Sequence, residues 1–379
     1  MKATNTNNIK ESIFTVMSKM ATKYEAINLS QGFPNFDSDP DLINLVEAAM
    51  RNGHNQYAPM AGDFELRTQI SLKIELLYKK IFKAETEITI TAGATQAIFT
   101  AIAATIHKND EVIIFTPAYD CYEPTIRLFG GISVPIQLRP PGYHVDWAEV
   151  EGKITSKTRM IIINSPHNPS GMIFSEKDML QLEAIAEKHD LLVISDEVYE
   201  HIVFDGLQHY SAAKFPKLSQ RTFIIASFGK TFHNTGWKLG YCVASEALMK
   251  KFQMVHQFNV FCVNHPMQKA LATYLKTPEN YLNLGAFYQQ KRNYFLSLLK
   301  DSRFGIIPSS GTYFQLLDYS EISDEGDIAF TERLTKEYKI ATIPTSVFNK
   351  EGADFKQIRV CFAKTEATLE AAAKILKSI

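Results

Sequence analysis

A lysine stands directly after one of the apolar, β-branched runs in this sequence. Lys230 follows residues 222–226, in a turn that is rich in glycine and aromatic residues. Most lysines in proteins lie at the surface, in contact with water. A lysine just past a buried strand is partly desolvated, which lowers the pKa of its amine and makes it a candidate for Schiff-base formation with a carbonyl compound.

A carboxylate ends a second run of this kind. Asp196 comes shortly after the apolar residues 191–194. Burying a carboxylate is costly unless a cation or a strong hydrogen-bond donor pairs with it. Asp196 is therefore either the N-cap of the segment that follows or the partner of a ligand with a basic nitrogen, and both interpretations stay open at this point.

Two further turns have residues that suit a ligand. Gly93, Ala94 and Thr95 lead from an apolar run into a helical stretch. Free backbone N–H groups and the positive end of the helix dipole at such a place favour a phosphate, although small-residue turns also serve tight packing. Asn168 lies in an irregular turn after residues 160–163, between two prolines, and can present its side-chain amide to a ligand oxygen.

The elements that must position these residues follow from the alternation of apolar runs and helical stretches. Continuous apolarity is typical of strands buried on both faces of a mostly parallel sheet, and alternation with helices predicts an α/β fold with right-handed crossovers. The predicted strands are residues 87–91, 112–115, 160–163, 191–194, 222–226 and 239–243, and the predicted helices between them include 95–106 and 175–189. Ligands of such sheets bind outside the carboxyl ends of the strands, where the polar turns lie.

The pattern changes after about Pro266, where helical stretches become longer. Helices are predicted at residues 266–275, 281–299 and 365–376, and short strands near 311–317 and 357–362. We interpret this part as a smaller α+β domain. The predicted division is residues 1–46 for an N-terminal arm and part of the small domain, 47–274 for the large domain, and 275–379 for the rest of the small domain.

Composition limits the possible functions. The chain has 379 residues, a net charge of -1, 45% apolar and 21% charged residues, as expected for a soluble protein of two domains. A near-neutral charge gives no reason to expect nucleic acid or an anionic membrane as a partner. His167, His201, His233 and His265 form no metal-ligand pattern, so no metal site is predicted.

The expected location is the cytoplasm. Residues 1–11 are polar and lack the apolar segment of a signal peptide, and no apolar run is long enough to cross a bilayer. The cysteines contain no Cys-x-x-Cys pair and fit a reducing compartment. They are Cys121, Cys242, Cys262 and Cys361.

The ordered set of these motifs resembles the fold-type I aminotransferases, which use pyridoxal phosphate (PLP). The set comprises Gly93-Ala94-Thr95, Asn168-Pro169 with Gly171, Asp196 with Tyr199, Ser227-x-x-Lys230, and Lys238. The chain most resembles the kynurenine and glutamine transaminase branch, and within it the bacterial methionine aminotransferases. That narrower similarity rests on residues 30–34, 120–124 and 236–238.

The resemblance implies a role for each matching residue. Lys230 should hold PLP as a Schiff base and then move the proton between the substrate α-carbon and the cofactor. Asp196 should bind the protonated pyridine nitrogen. Asn168 and Tyr199 should bind the phenolic oxygen of the ring, and Tyr119 should stack on its face.

The family also implies a phosphate site that two subunits share. Lys238 stands where many relatives have arginine, so it supplies charge without a bidentate fork. Tyr57 should reach the phosphate from the neighbouring subunit, which predicts a homodimer with shared active sites. The other implied phosphate ligands are the N–H groups of Gly93, Ala94 and Thr95 and the hydroxyl of Ser227.

For the substrate, the resemblance implies an α-carboxylate clamp at Arg359, helped by Gly32 and Asn168. Residues 258–265 contain no arginine that could bind a second carboxylate. Apolar walls favour methionine or aromatic amino acids as donors, with a 2-oxo acid as acceptor in a ping-pong mechanism. The candidate wall residues are Phe14, Tyr57, Phe261 and Phe348.

Two other functions compete with amino transfer. A PLP-dependent cysteine-conjugate β-lyase shares the chemistry as far as the carbanion, so the same residues fit it. A PLP-fold regulator would need a DNA-binding helix-turn-helix, for which the short N-terminal segment leaves no room.

Overall fold

The computed structural model describes residues 11–379. Residues 1–10 lie outside the described residues. They include the start of the predicted N-terminal arm and most of the polar segment in which no signal peptide is predicted. The strands are β1 (Ile27–Asn28), β2 (Ile88–Thr91), β3 (Glu111–Thr116), β4 (Ile132–Gln137), β5 (Thr158–Asn164), β6 (Leu192–Asp196), β7 (Thr222–Ser227), β8 (Gly240–Val243), β9 (Phe314–Asp318), β10 (Ile340–Ala341), β11 (Ile343–Pro344) and β12 (Gln357–Cys361). The α-helices are α1 (Ile13–Lys23), α2 (Pro40–Arg51), α3 (Phe64–Tyr78), α4 (Gly93–Thr105), α5 (Tyr122–Leu128), α6 (Trp147–Gly152), α7 (Glu176–Lys188), α8 (Pro216–Ser219), α9 (Phe228–Thr231), α10 (Glu246–Asn259), α11 (His265–Tyr274), α12 (Glu279–Leu282), α13 (Leu284–Leu298), α14 (Asp327–Lys336) and α15 (Glu366–Leu376).

The central sheet has seven strands in the order β2-β8-β7-β6-β5-β3-β4. All neighbours run parallel except β8, which is antiparallel to both β2 and β7. The sheet is therefore mostly parallel, as predicted. Its parallel strands end at the same edge, which brings together the turns that follow them.

Both faces of this sheet are buried, which explains the continuous apolar runs. Ile161 and Ile163 of β5 belong to the same packed cluster as Leu182 of α7. Ile162, between them, belongs to a second cluster that includes Ile98 of α4. Successive side chains of a strand point to opposite faces, so each face of the sheet needs apolar residues here.

One strand of the sheet was not predicted. β4 lies at the edge, pairs only with β3, and contains Pro135. Proline cannot donate to a ladder hydrogen bond, so it is confined to edge strands and weakens the strand pattern in the sequence. The partly exposed residues of β4 also break the apolar run that marks the interior strands.

The rest of the described chain forms two smaller sheets. One is antiparallel with the order β11-β12-β9, and the other pairs β1 with β10 in parallel. The β1–β10 pair joins the N-terminal segment to the C-terminal part. The domain limits at residues 46 and 274 stay a prediction. No helix in residues 11–379 is long and apolar enough to cross a membrane.

Helix α7 begins where the sequence pattern indicates. Ser175 is its N-cap, and its hydroxyl accepts a hydrogen bond from the backbone N–H of Asp178 at 3.2 Å. The Asp178 carboxylate in turn accepts from the backbone N–H of Ser175 at 2.9 Å. This reciprocal capping box satisfies two N–H groups that the first helical turn leaves free.

Replacing Ser175 with alanine removes one half of this capping box. We expect the free energy of unfolding to fall by about 1 kcal/mol, because a helix N–H loses its partner. Urea titration of the variant measures the change. Ser245→Ala is the matched control, since Ser245 precedes α10 without capping it through its side chain. An equal loss in both variants would contradict the assignment.

Candidate active site

A cavity of about 280 Å³ lies where β5, β6 and β7 end and α4 begins. This is the edge at which open α/β sheets bind ligands. The predicted site residues that line it are Phe14, Gly32, Gly93, Ala94, Thr95, Tyr119, Asn168, Asp196, Tyr199, Ser227, Lys230, Lys238 and Arg359. The structure therefore brings most of the predicted site together, from segments that span nearly the whole chain.

Three predicted site residues do not line this cavity. Phe348 is buried in a small cluster with Met17 and Ile343. Tyr57 is 83% exposed and Phe261 is 46% exposed, and neither lines the cavity formed by this chain. They contact each other edge to face, with 5.6 Å between the ring centroids. Their assignment to the site stays a prediction that requires a second chain.

A larger groove lies elsewhere on the described chain. It has a volume of about 1240 Å³ and runs between the loops around Pro140, Gly171, Gly206 and Pro308. Neither Lys230 nor any other predicted site residue lines it. The smaller cavity combines charged, aromatic and backbone groups and is the better candidate.

Lys230 lies in α9, one turn after β7, and its side chain lines the cavity. Its Nζ donates a hydrogen bond to the carbonyl of Gly32 at 2.9 Å. The rings of Tyr199 and Tyr313 lie 5.9 and 5.6 Å from Nζ. Desolvation by the surrounding protein lowers the pKa of the amine to about 8, so a larger fraction of it is neutral near neutral pH than in a surface lysine.

Asp196 is the last residue of β6 and is 4% exposed. Its carboxylate accepts a hydrogen bond from the Tyr122 hydroxyl at 2.5 Å and one from the backbone N–H of Val198 at 3.4 Å. Burial raises the pKa of Asp196 to about 6, and the Tyr122 hydrogen bond opposes that rise. The N-cap interpretation fails, because the next α-helix, α8, begins only at Pro216.

Two asparagines link Asp196 to the substrate side of the cavity. The Asn164 side chain donates to the Asp196 carbonyl at 2.9 Å and accepts from the Asn168 backbone N–H at 2.8 Å. The Asn168 side-chain oxygen accepts from Nη1 of Arg359 at 2.9 Å. Both asparagines line the cavity, but their contacts differ: the side chain of Asn164 supports the backbone of Asp196 and Asn168, whereas that of Asn168 contacts Arg359.

Arg359 lies on β12 and is 1% exposed. Its Nη2 donates to the Ser30 carbonyl at 2.7 Å, and its guanidinium lies 3.9 Å from the centroid of the Phe314 ring. Its Nε is buried and has no hydrogen-bond partner within residues 11–379. A buried cation with an unused donor next to a cavity suits a carboxylate ligand.

The first turn of α4 presents free N–H groups to the cavity. Its N-cap, Ala92, has no side chain that could satisfy them. Gly240 of β8 approaches so closely that a Cβ there would lie 2.6 Å from the Ala226 carbonyl oxygen and 3.0 Å from the Ala94 nitrogen. Gly93 (φ +73°) lies against the aliphatic part of Lys238. This arrangement suits a phosphate.

Several residues of the site were not predicted. Tyr122 holds Asp196, and the Tyr313 hydroxyl donates to the Gly32 carbonyl at 2.6 Å, the same oxygen that Lys230 contacts. Phe314 covers Arg359. These contacts join residues far apart in the sequence, so no local pattern indicates them. Only Tyr122 could have been suggested by its position in the sequence, since it lies three residues after Tyr119.

The charge of the cavity is positive overall. Lys230, Lys238 and Arg359 line it together with a single carboxylate, Asp196. Such a balance favours ligands with more than one negative group, for example a phosphate and a carboxylate.

Comparison with known proteins identifies the family of this chain. Residues 24–376 match the family model for aminotransferase class I and II. The chain belongs to this aminotransferase family. The methionine aminotransferase of Escherichia coli (strain K12) is 46% identical over 368 residues, which cover 97% of this chain and 95% of that protein. The human kynurenine–oxoglutarate transaminase 3 is 35% identical, over 100% of this chain and 91% of its own length.

The structural similarity to this family is equally complete. The crystal structure of YbdL from Escherichia coli, for which a methionine aminotransferase function was identified, superposes with a TM-score of 0.97 at 45% identity and covers 100% of both chains. The predicted fold, that of the fold-type I aminotransferases, is confirmed. Residues 11–379 contain no group of histidine, cysteine or acidic side chains arranged to hold a metal ion.

Proposed function

We propose that this aminotransferase uses PLP and takes methionine or an aromatic amino acid as donor and a 2-oxo acid as acceptor. The central observation is that Lys230, with a lowered pKa, shares one cavity with Asp196 and Arg359. An amine, a buried carboxylate and a buried guanidinium are the groups needed to hold a pyridinium aldehyde and an α-amino acid next to each other.

The residues present fit PLP. The uncapped first turn of α4, with Ser227 and Lys238 beside it, would hold the phosphate. Asp196 would hold the ring nitrogen, since its buried carboxylate lines the cavity, and burial favours pairing it with a cationic donor. When bound, PLP supplies an aldehyde that condenses with amines and a ring that delocalises the electron pair left after removal of an α-proton.

The side chains of this chain would orient the substrate and move its proton. Arg359 binds the α-carboxylate, which fixes the α-carbon beside the Lys230 amine. Lys230, whose pKa is about 8, removes the α-proton and returns it. Burial raises the pKa of the Tyr199 phenol, which therefore stays protonated and serves as a hydrogen-bond donor.

The walls of the cavity support an apolar donor. Phe14, Phe33 and Ile98 line it, and among residues 11–379 Arg359 is the only arginine that does so. A donor with a second carboxylate would leave that charge without a bidentate partner in this chain. Methionine and aromatic side chains bury apolar area there instead. The names of the bacterial and human relatives agree with this donor class.

A single-turnover titration tests the proposal. The PLP-loaded protein is mixed with methionine, phenylalanine or aspartate while the visible cofactor band is followed. We expect conversion to the pyridoxamine form and recovery of the 2-oxo acid with the first two donors. Equal rates with aspartate would overturn the donor class. Release of ammonia and pyruvate from a cysteine conjugate without an acceptor would show lyase activity.

Arg359 offers a prediction that does not depend on the donor side chain. Arg359→Lys keeps a positive charge but loses the planar fork, and we expect kcat/KM to fall by about a hundredfold for every amino donor. The fall should appear mainly in KM. Arg333→Lys is the matched control, because Arg333 makes a comparable pair with Glu325 at the surface. A loss confined to one donor would contradict the α-carboxylate role.

We also propose that the active protein is a homodimer in which Tyr57 completes the site of the partner. Tyr57 and Phe261 form an exposed aromatic cluster with Phe258 nearby in sequence, which is 87% exposed. Large exposed aromatic residues mark interaction surfaces. Because Tyr57 and Phe261 are also predicted site residues, their exposure supports an interface at which two subunits share the active site.

Mixed dimers test this arrangement. One chain has Lys230→Met and the other Tyr57→Ala, and each variant alone is expected to be inactive or weak. If Tyr57 acts across the interface, the mixed dimer contains one complete site, so activity should return to about half of wild type because one of two sites is intact. If the mixed dimer is no more active than the Tyr57→Ala protein, Tyr57 acts within its own chain. Full activity of the Tyr57→Ala protein alone would show that Tyr57 takes no part in the reaction.

A further inference from the structure

Helix α1 contributes a wall of the cavity but is held by few apolar contacts. Its buried residues are Met17 and Ala21. Met17 belongs to a small cluster with Ile343 and Phe348, separate from the two large ones, against which the partly buried Ile13, Phe14 and Met20 pack. Phe14 stacks on Phe348 with 5.7 Å between the ring centroids. Because a segment with little buried apolar surface opens easily, other contacts must set the position of Phe14.

Gln31 supplies such contacts. Its side-chain nitrogen donates to the backbone carbonyl of Phe14 at 2.7 Å and also to the hydroxyl of Ser18. An amide NH₂ has two donors, and both are used here within the protein. Although Gln31 lines the cavity, it therefore acts on α1 rather than on a ligand through these donors.

A second contact holds the start of the same helix. Ser12, which precedes α1, donates to the Asp120 carboxylate at 2.5 Å. Asp120 follows Tyr119, the residue predicted to stack on the cofactor ring. The first turn of α1 is thus held from two sides, by Gln31 and by Asp120.

Phe14 lies where a donor side chain would pass. Its ring is 5.1 Å from the guanidinium of Arg359 and 6.4 Å from the ring of Tyr119. A substrate held at Arg359 by its α-carboxylate has its side chain within reach of this ring. A long apolar side chain gains contact area with Phe14, whereas the methyl group of alanine gains little.

We propose that Gln31 is a positioning residue for donor selection: it holds the first turn of α1 so that Phe14 closes the cavity over large apolar side chains. This inference rests on the proposed apolar donor class. Gln31 would affect donor selectivity through Phe14, so its effect depends on the presence of the Phe14 ring.

The test compares Gln31→Leu with wild-type holoenzyme on methionine, phenylalanine and alanine. Leucine keeps the volume but has no donor. We expect kcat/KM to fall about tenfold for the two large donors, mainly through KM, and less than about threefold for alanine, because two hydrogen bonds to α1 are lost. In a Phe14→Ala background the same substitution should change methionine turnover by less than about twofold.

Asn35→Leu is the matched control, because Asn35 belongs to the same segment but bonds to Thr365 and Thr368 at the start of α15. Its donor preference should equal that of wild type. Hydrogen exchange gives a readout that is independent of activity: residues 13–23 should exchange faster in Gln31→Leu than in wild type or in the control.

Three results would overturn the proposal. They are equal losses for all three donors, additive effects of Gln31→Leu and Phe14→Ala, or unchanged exchange of α1. Failure of the proposed function would look different, since wild type itself would then convert neither methionine nor phenylalanine. In that case the proposed role of Gln31 in donor selection would also be wrong. Faster hydrogen exchange of α1 in Gln31→Leu would still support the role of Gln31 in positioning Phe14.

Discussion

Replacing Lys230 with methionine is expected to abolish amino transfer while leaving the protein folded. Methionine matches the length of the lysine stem but has no amine to hold the cofactor or to move the α-proton. The loss of a general base alone costs up to about 10⁴-fold in rate, and the loss of the cofactor linkage adds to it. Single-turnover conversion of methionine by the PLP-loaded variant measures the rate.

A second measurement identifies the attachment site directly. Borohydride treatment of the wild-type holoenzyme should fix the cofactor on the peptide that contains Lys230, as detected by mass spectrometry. Lys291→Met is the control, because Lys291 is also half-buried and donates to one backbone carbonyl, that of Lys364 at 3.0 Å. Cofactor fixed on another lysine, or a Lys230→Met variant with wild-type turnover, would refute the assignment.

Asp196→Asn is expected to reduce the activity of the holoenzyme and to increase the stability of the cofactor-free protein. Removing one carboxylate thus has opposite effects on activity and on stability. Turnover should fall by about 10²–10³-fold, because a neutral amide no longer stabilises a charged ring nitrogen. Without the cofactor, the same carboxylate is buried with only two hydrogen-bond donors, from Tyr122 and Val198. Its removal should therefore increase the free energy of unfolding.

The pH dependence of this increase follows from the pKa of Asp196. The pKa is raised from 3.8 to about 6 by burial, so the folded state binds the proton more tightly than the unfolded chain does. Ionisation therefore penalises the wild-type folded state progressively between these two pH values, and the whole penalty is present above the higher one. A shift of two pKa units corresponds to about 3 kcal/mol.

Urea titrations of the cofactor-free proteins at several pH values measure the effect. The stability advantage of Asp196→Asn should be largest above pH 6 and should shrink as the pH falls, until the wild-type carboxyl is protonated in both states below its unfolded pKa of 3.8. Asp190→Asn is the control. Its side chain, just before the opposite end of β6, is 98% exposed, so the substitution should leave both activity and pH dependence unchanged. An advantage of Asp196→Asn that does not vary with pH would contradict the mechanism.

Local sequence patterns were sufficient for the strands that are buried on both faces. The runs around Ile162 and Phe223 are apolar throughout, and each became an interior strand of the central sheet. They were insufficient for β4, where Pro135 and partial exposure hide the strand. The predicted helix at 281–299 is also interrupted, because α12 ends at Leu282 and α13 begins at Leu284.

The order of apolar runs and turns along the chain is sufficient to predict which residues meet at the carboxyl edge of the sheet. Thr95, Asn168, Asp196 and Lys230 each follow an apolar run, and parallel strands bring such positions to the same edge whatever the details of packing. The family resemblance extended this set to Arg359, whose role stays a prediction although its side chain does line the cavity.

The contacts that support these residues could not be predicted from local sequence patterns. The Tyr122 hydroxyl on Asp196, the Tyr313 hydroxyl on the Gly32 carbonyl and the amide of Gln31 on α1 are contacts between separate elements. Their partners are set by how helices and sheets pack, which depends on the whole chain at once. Residue type and spacing along the sequence therefore indicate the chemical groups of the site, whereas their hydrogen bonds, burial and pKa values arise only when the chain is folded.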